Sequence, residues 1–223
     1  MPQRILVINP NSSDAVTRGL DIAMQGFRAE GSVLIDCVTL KDGPAGIETQ
    51  QHADSVVTPL LRLVDECEPR YDAFVIACYS DPGLHAVREI TSKPVLGIAE
   101  CGLLTALTLG QRIGVIAILQ KSIARHLRYL GAMGLTSRLA AELPLNMGVA
   151  ELSDQERTFG RLVEVARELR ERHAADVIVL GCAGLTSQRA RLQATIGVPV
   201  VDPAQAAVAM AIGRVMLDWT RAA

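Results

Sequence analysis

One stretch of this chain occurs twice, and the duplication limits what it can fold into. Asp72-Ala-Phe-Val-Ile-Ala-Cys78-Tyr-Ser80-Asp-Pro-Gly83 has a counterpart in Asp176-Val-Ile-Val-Leu-Gly-Cys182-Ala-Gly184-Leu-Thr-Ser187. In both, an aspartate opens a short apolar run and a cysteine closes it six residues later. Small or turn-forming residues follow, then a helical segment. A proline then leads a second apolar run, Pro94-Val-Leu-Gly-Ile-Ala in one half and Pro199-Val-Val-Asp202 in the other. Further back, Arg4-Ile-Leu-Val-Ile-Asn9 matches Arg112-Ile-Gly-Val-Ile-Ala117. The three landmarks are offset by 108, 104 and 105 residues. The chain therefore reads as an α/β protein of two similar lobes, each with a parallel-type sheet flanked by helices, related by a pseudo-twofold axis. Residues 1–99 with 203–223 are expected to form the first lobe, and 100–202 the second. Each lobe presents one cysteine at the C-terminal end of a strand, where open α/β sheets bind ligands. The active site is expected in the cleft between them.

Bulk properties narrow the function. Of the 223 residues 49% are apolar but only 3% aromatic, so Ala, Val, Leu and Ile fill the core, as in sheets covered by helices. A net charge of −2 with mixed signs leaves no footprint for nucleic acid or an anionic membrane. No apolar run is long enough to span a bilayer, and the first residues enter a strand without a signal-peptide core. Five cysteines, an odd number without paired spacing, do not form a disulfide framework. A reducing, cytoplasmic setting is expected.

Strands are expected at 4–8, 32–40, 94–99, 112–119 and 199–201, besides the two that carry the cysteines. Helices are expected at 14–29, 52–68 (with Pro59 as a distortion), 82–91, 100–109, 122–133, 185–196 and 203–219. Ser153-Asp-Gln-Glu156 resembles a capping box before a further helix reaching His173. Asp81-Pro82 signals a cap and first turn for helix 82–91. Residues 139–150 carry no clear pattern, and the turn-rich loop 41–48 is either a plain connection or a pocket wall. Regular alternation of strand and helix implies parallel sheets, because parallel strands need crossover connections.

Cys78 and Cys182 are the candidate catalytic pair. A lone buried cysteine is ordinarily a small hydrophobe, but packing does not require sulfur at equivalent points of two diverged halves. Sulfurs facing each other across a cleft suit removal of a proton from one face of a carbon and delivery to the other. Each precedes an expected helix N-terminus, which favours thiolate over thiol. Cys37, Cys67 and Cys101 are read as packing residues. Asn9, Asn11, Ser12, Tyr79 and Ser80, with the backbone around Ala183 and Gly184, are candidate substrate contacts; capping explains the hydroxyls equally well. The four histidines lack metal-ligand spacing and are assigned to solvated helix faces, and no metal is expected. The usual dinucleotide, P-loop and serine-hydrolase signatures are absent.

These residues resemble the aspartate/glutamate racemase superfamily, and within it the hydantoin racemase branch. The likeness runs through Ile8-Asn-Pro-Asn-Ser12, Gly43-Pro44, Ala77-Cys78-Tyr-Ser-Asp-Pro-Gly83, Gly97-Ile-Ala-Glu100 and Leu180-Gly-Cys-Ala-Gly184. It implies a cofactor-independent isomerase in which Cys78 and Cys182 are the acid/base pair, one entering as thiolate and one as thiol. It also implies a small carbon acid as substrate, such as a hydantoin, allantoin or an amino acid, and a homo-oligomeric assembly. The chain departs from the branch after Val115-Ile116, where hydroxyl residues usually help hold the substrate. Here it reads Ala117-Ile118-Leu119-Gln120-Lys121, leaving Gln120 or Ser122 to substitute. Decarboxylation, cis-trans isomerisation and simple ligand binding are the rival readings of the same pocket.

Overall fold

The computed structural model describes residues 2–28 and 33–220. The first half contains β1 (Gln3–Asn9), α1 (Asp14–Ala23), α2 (Gln25–Arg28), β2 (Val33–Thr39), α3 (Gln50–Ser55), α4 (Val57–Cys67), β3 (Ala73–Ile76), α5 (Leu84–Ile90), β4 (Val95–Gly97) and α6 (Ile98–Leu107). The second contains β5 (Ile113–Ala117), α7 (Gln120–Ala132), β6 (Leu139–Pro144), α8 (Gln155–His173), β7 (Val177–Gly181), α9 (Arg189–Ile196), β8 (Val200–Val201) and α10 (Pro203–Met216). The sheets share one topology: order β2-β1-β3-β4 in the first and β6-β5-β7-β8 in the second, with every pairing parallel. The duplication in the sequence is thus a duplication of fold.

Side-chain alternation along the central strands sorts residues into three cores. Ile5, Val7 and Val75 of the first sheet join Val115, Val177 and Val179 of the second in one shared cluster. Their neighbours point the other way: Leu6, Ile8, Phe74 and Ile76 pack under α4 and α5, while Ile116, Ile178 and Leu180 pack under α8 and α9. Alanine-rich α10 enters the shared cluster through Ala204, Ala207 and Ala211. It lies on α6 and also reaches β1, β3 and β4.

Several local expectations need correction. The first helix stops at Ala23 and restarts as α2; its expected end at 29, like the expected strand start at 32, lies outside the described residues, as do residues 1 and 221–223 of the first lobe. The helix expected over 52–68 begins at Gln50, where Thr49 caps it, and breaks at Val56. Pro59 has no N–H to give the Ser55 carbonyl and its ring would crowd that group. The helix before His173 is capped by Asp154, which accepts from Arg157 N at 3.1 Å. Ser153 instead donates to Ala150 O. The segment 139–150 contains the edge strand β6, whose half-covered face and terminal Pro144 blur any alternation. The segment 185–196 begins as a 3-10 turn over 183–188 before α9.

Asp81 departs furthest from its expected role. Helix α5 starts only at Leu84, after Gly83 at φ +68°, and receives no side-chain cap. Asp81, itself at φ +42°, turns its carboxylate to the start of α6, accepting from Ala99 N at 2.9 Å and Glu100 N at 2.8 Å. Gly97 makes room: a Cβ there would lie 2.2 Å from Asp81 Cγ. Replacing Gly97 by Ala is expected to expel the carboxylate and cost about 2 kcal/mol, as overpacking does; urea unfolding of the variant checks it, and unchanged stability would refute this role for Gly97.

Candidate active site

The C-terminal ends of β3 and β7 face a common cavity of about 430 Å³, its mouth included, lined by Cys78 and Cys182 together. Cys78 lies in the tight turn after β3, closed by Asp81 N donating to Cys78 O at 2.9 Å. Cys182 follows β7 directly and caps the 3-10 turn 183–188, its Sγ accepting from Gly184 N at 3.3 Å. Asn11, Tyr79, Ser80, Ala183 and Gly184 also line the cavity. Asn9 does not. It is fully buried behind the wall, where its Nδ2 donates to Asn11 Oδ1, Ser13 O and Thr17 Oγ1 and so shapes the loop that presents Asn11. Ser12 lies outside the lining, its backbone N–H bonded to Pro44 O. Gln120 is exposed at the start of α7. From the loop at 41–48, Ile47 forms part of the wall.

Helix α7 contributes a face on which the sequence reading had assigned His126 to solvent and offered Ser122 as a substrate contact. Ser122, Arg125 and His126, at i, i+3 and i+4, all turn into the cavity. Arg125 Nε donates to Ser80 Oγ at 2.9 Å, joining the second lobe to the turn that holds Cys78. His126 is buried, with Nδ1 2.5 Å from Glu142 Oε1 on β6, and its ring meets Tyr79 edge-on at 5.2 Å between centroids. The Ser122 hydroxyl is buried without a hydrogen-bond partner among the described residues. The i, i+3, i+4 polar spacing was visible in the sequence, but nothing local told a cleft-facing stripe from a solvated one. Among the described residues no cluster of His, Cys, Asp and Glu is fit to hold a metal. No helix there is long and apolar enough to cross a membrane.

Burial dominates the electrostatics and reverses the expected thiolate preference. It pushes the Cys78 thiol up to about 11, against the lowering effect of the Ser80 N–H and hydroxyl and of the Arg125 charge. It pushes Cys182 up to about 12, with Gly184 N–H opposing and Cys78 adding to the rise. The helix after Cys78 starts at Leu84, too far away for its end to compensate. Burial likewise raises the Asp81 carboxyl to about 7, although Ala99 N–H, Glu100 N–H and the Tyr129 hydroxyl (3.0 Å) all favour the anion.

Two outcomes follow from these shifts. Iodoacetamide alkylation of the unliganded protein should keep rising with pH toward about 11 at Cys78 and lag behind at Cys182; a plateau near pH 8 would contradict the burial argument. Asp81 retains its proton in the folded state between its ordinary value of 3.8 and about 7, so its contribution to stability is fully present below that interval and is lost as pH rises through it. Urea unfolding should show that decline in the wild type and its absence in Asp81→Asn.

Comparison with known proteins bears on the family and the fold. The family described as Asp/Glu/Hydantoin racemase matches residues 5–211. The hydantoin racemase of Paenarthrobacter aurescens is 37% identical over 220 residues, covering 97% of this chain and 92% of that protein. Among solved structures, allantoin racemase from Klebsiella pneumoniae superposes with a TM-score of 0.91 at 31% identity, covering 99% of this chain and 90% of that one. Allantoin racemase from Pseudomonas fluorescens gives 0.92 at 27% identity, with 99% and 94% covered.

Proposed function

Because this chain belongs to the Asp/Glu/Hydantoin racemase family, we propose that it racemises hydantoin-type compounds by passing a ring proton between Cys78 and Cys182. The observation that carries this reading is the meeting of two thiols, from equivalent strand ends of two similarly built lobes, in one cavity. The relatives named above are racemases of hydantoin and allantoin, both of which carry a C–H beside a ring carbonyl.

The chemistry needs a base on one face of that carbon and an acid on the other. One sulfur, as thiolate, takes the proton and becomes a thiol. The opposite thiol then protonates the planar enolate and is left as thiolate, so the reaction inverts the centre and exchanges the roles of the two sulfurs. A full cycle in the other direction restores the starting state, and no redox cofactor enters the balance. Cys78 is the easier of the two to ionise, because Ser80 and Arg125 stand beside it, and both rest as thiols near neutral pH. The raised values mean that little thiolate exists at neutral pH, but what exists is a strong base toward carbon. The Ser122 hydroxyl and Arg125 supply polar partners for the enolate oxygen in a site sheltered from water.

Homo-oligomerisation belongs to this proposal as well. Met216, Leu217 and Trp219, all exposed near the end of α10, are among the exposed apolar side chains available to an assembly.

Proton NMR in deuterium oxide, combined with polarimetry, tests the mechanism. Wild-type protein should place deuterium at the ring carbon of an optically pure hydantoin while optical rotation decays. Cys78→Ser and Cys182→Ser should each slow racemisation by about 10³-fold, within the range for loss of an acid/base group, while permitting stereospecific exchange of one enantiomer. Racemisation persisting at the wild-type rate in either variant would sink the two-thiol mechanism.

A further inference from the structure

One buried side chain on the cavity wall has no part in the proton transfer derived above. The His126 side chain on α7 is 6% exposed, and its Nδ1 lies 2.5 Å from Oε1 of Glu142, whose own side chain is 1% exposed. Edge-on contact with Tyr79 holds the imidazole from another side. A carboxylate only accepts, so Nδ1 carries the shared proton and the tautomer is fixed. The Glu142 charge also acts on Arg125, one residue earlier on α7, and that guanidinium balances it. The imidazole is then neutral, with a lone pair on Nε2.

Nε2 has no hydrogen-bond partner among the described residues, and His126 lines the same cavity as Cys78 and Cys182. A buried acceptor left unpaired is costly, so this one calls for a donor on the ligand. The other polar side chains of the wall behave differently. Asn11 Oδ1 already accepts from Asn9 Nδ2 and from Ser13 N. The hydroxyls of Tyr79, Ser80 and Ser122 can turn either to donate or to accept, and Arg125 only donates. Nε2 of a neutral imidazole whose other nitrogen carries the proton can only accept. It therefore tells an N–H from a group that has no hydrogen to give.

We propose that His126 Nε2 accepts a hydrogen bond from the imide N–H of a hydantoin-type ring, the N–H between its two carbonyls, with Glu142 as the positioning residue that fixes the tautomer. The inference rests on the functional reading above and adds to it the group by which the substrate is recognised. Helix α7 decides which ring N–H is read. Ser122 and Arg125 are the partners of the enolate oxygen, and His126 stands with them on the face turned to the cavity. In the substrate, the imide nitrogen is bonded to the carbon that bears that oxygen, so C=O and N–H lie side by side. The second ring N–H is bonded to the exchanging carbon instead, on the far side from the oxygen.

Methylation removes either donor without touching the reacting carbon. Racemisation of 5-methylhydantoin and of its 1-methyl and 3-methyl derivatives is followed by polarimetry, position 3 being the imide nitrogen. Wild type is expected to lose about 100-fold in kcat/KM on the 3-methyl compound and less on the 1-methyl compound. A wild type that takes the 3-methyl compound as well as the parent, or that rejects the 1-methyl compound more strongly, overturns the assignment, and neither result needs a variant to fold. His126→Phe separates a lost donor from a methyl group that does not fit, because it keeps a ring in place and removes the nitrogen; thermal melting confirms folding. In this variant the parent-to-3-methyl ratio of kcat/KM is expected to fall about tenfold, since only the parent has a hydrogen bond to lose. An unchanged ratio, including an equal loss on both compounds as from a structural role, overturns the proposal and leaves the racemase reading standing. Glu142→Leu, which frees the imidazole to turn, is expected to lower the same ratio, and no change there overturns the positioning role. Wild-type protein inactive on the parent compound would overturn the functional reading, and the recognition with it.

Discussion

The buried carboxylate of Asp81 ties together the parts that build the cleft. It sits three residues after Cys78 in a left-handed turn, caps α6 through the amides of Ala99 and Glu100, and receives the hydroxyl of Tyr129 from α7. One side chain therefore links the thiol-bearing turn of the first half, the helix that leads into the second, and the helix that walls the cavity. Such a group is costly to bury alone and tolerable only when fully bonded. Gly97 exists as glycine to admit it. Arg125 reinforces the link through Ser80 one residue earlier in the same turn. Hydrogen bonds to Asp81 and Ser80 thus join the packing of Ala77 and Tyr79 in fixing Cys78 relative to the second half.

The shared apolar core makes the same connection on the opposite side. Inward-facing residues of both sheets, with α6 and α10 between them, form one cluster, so the halves do not behave as separately cored units joined by a cleft. The cavity lies beyond the strand ends, where this packing stops. Both cysteines are half-buried, yet the surrounding walls desolvate their anions enough to raise both thiols, and that property has two sides. Desolvation makes the thiolate scarce, but it also makes each thiolate more basic toward a carbon acid and strengthens every dipole aimed at the developing charge.

Much of this architecture was legible in the chain. Short continuous apolar runs, turn residues and the offset landmarks reveal parallel strands, crossover helices and duplication, since these patterns are local and each recurs. The family likeness rests on short motifs around the two cysteines and agrees with the relatives found. What was not legible has a common cause. Edge strand β6 lacks a fully buried face to impose alternation. Asp81-Pro82 carries a helix-start signal that local chemistry alone would honour, yet a better partner, the start of α6, lies 18 residues away. His126 and Arg125 occupy a helix face that looks solvated in sequence, because Glu142 and Ser80, which satisfy them, come from distant segments.

The amino-acid sequence by itself determined the two-lobed parallel α/β fold and the presence of one cysteine at the end of a central strand in each lobe. Both follow from short-range periodicity and from the pairing rules of parallel sheets. Only the tertiary structure decided that both sulfurs share one cavity, that Ser122, Arg125 and His126 line it, and that Asn9 and Gln120 do not. It also decided the direction in which the thiols are shifted. Proximity to a helix start is written in the chain and favours the anion, whereas desolvation depends on every element that closes over the site, and here desolvation is the larger effect.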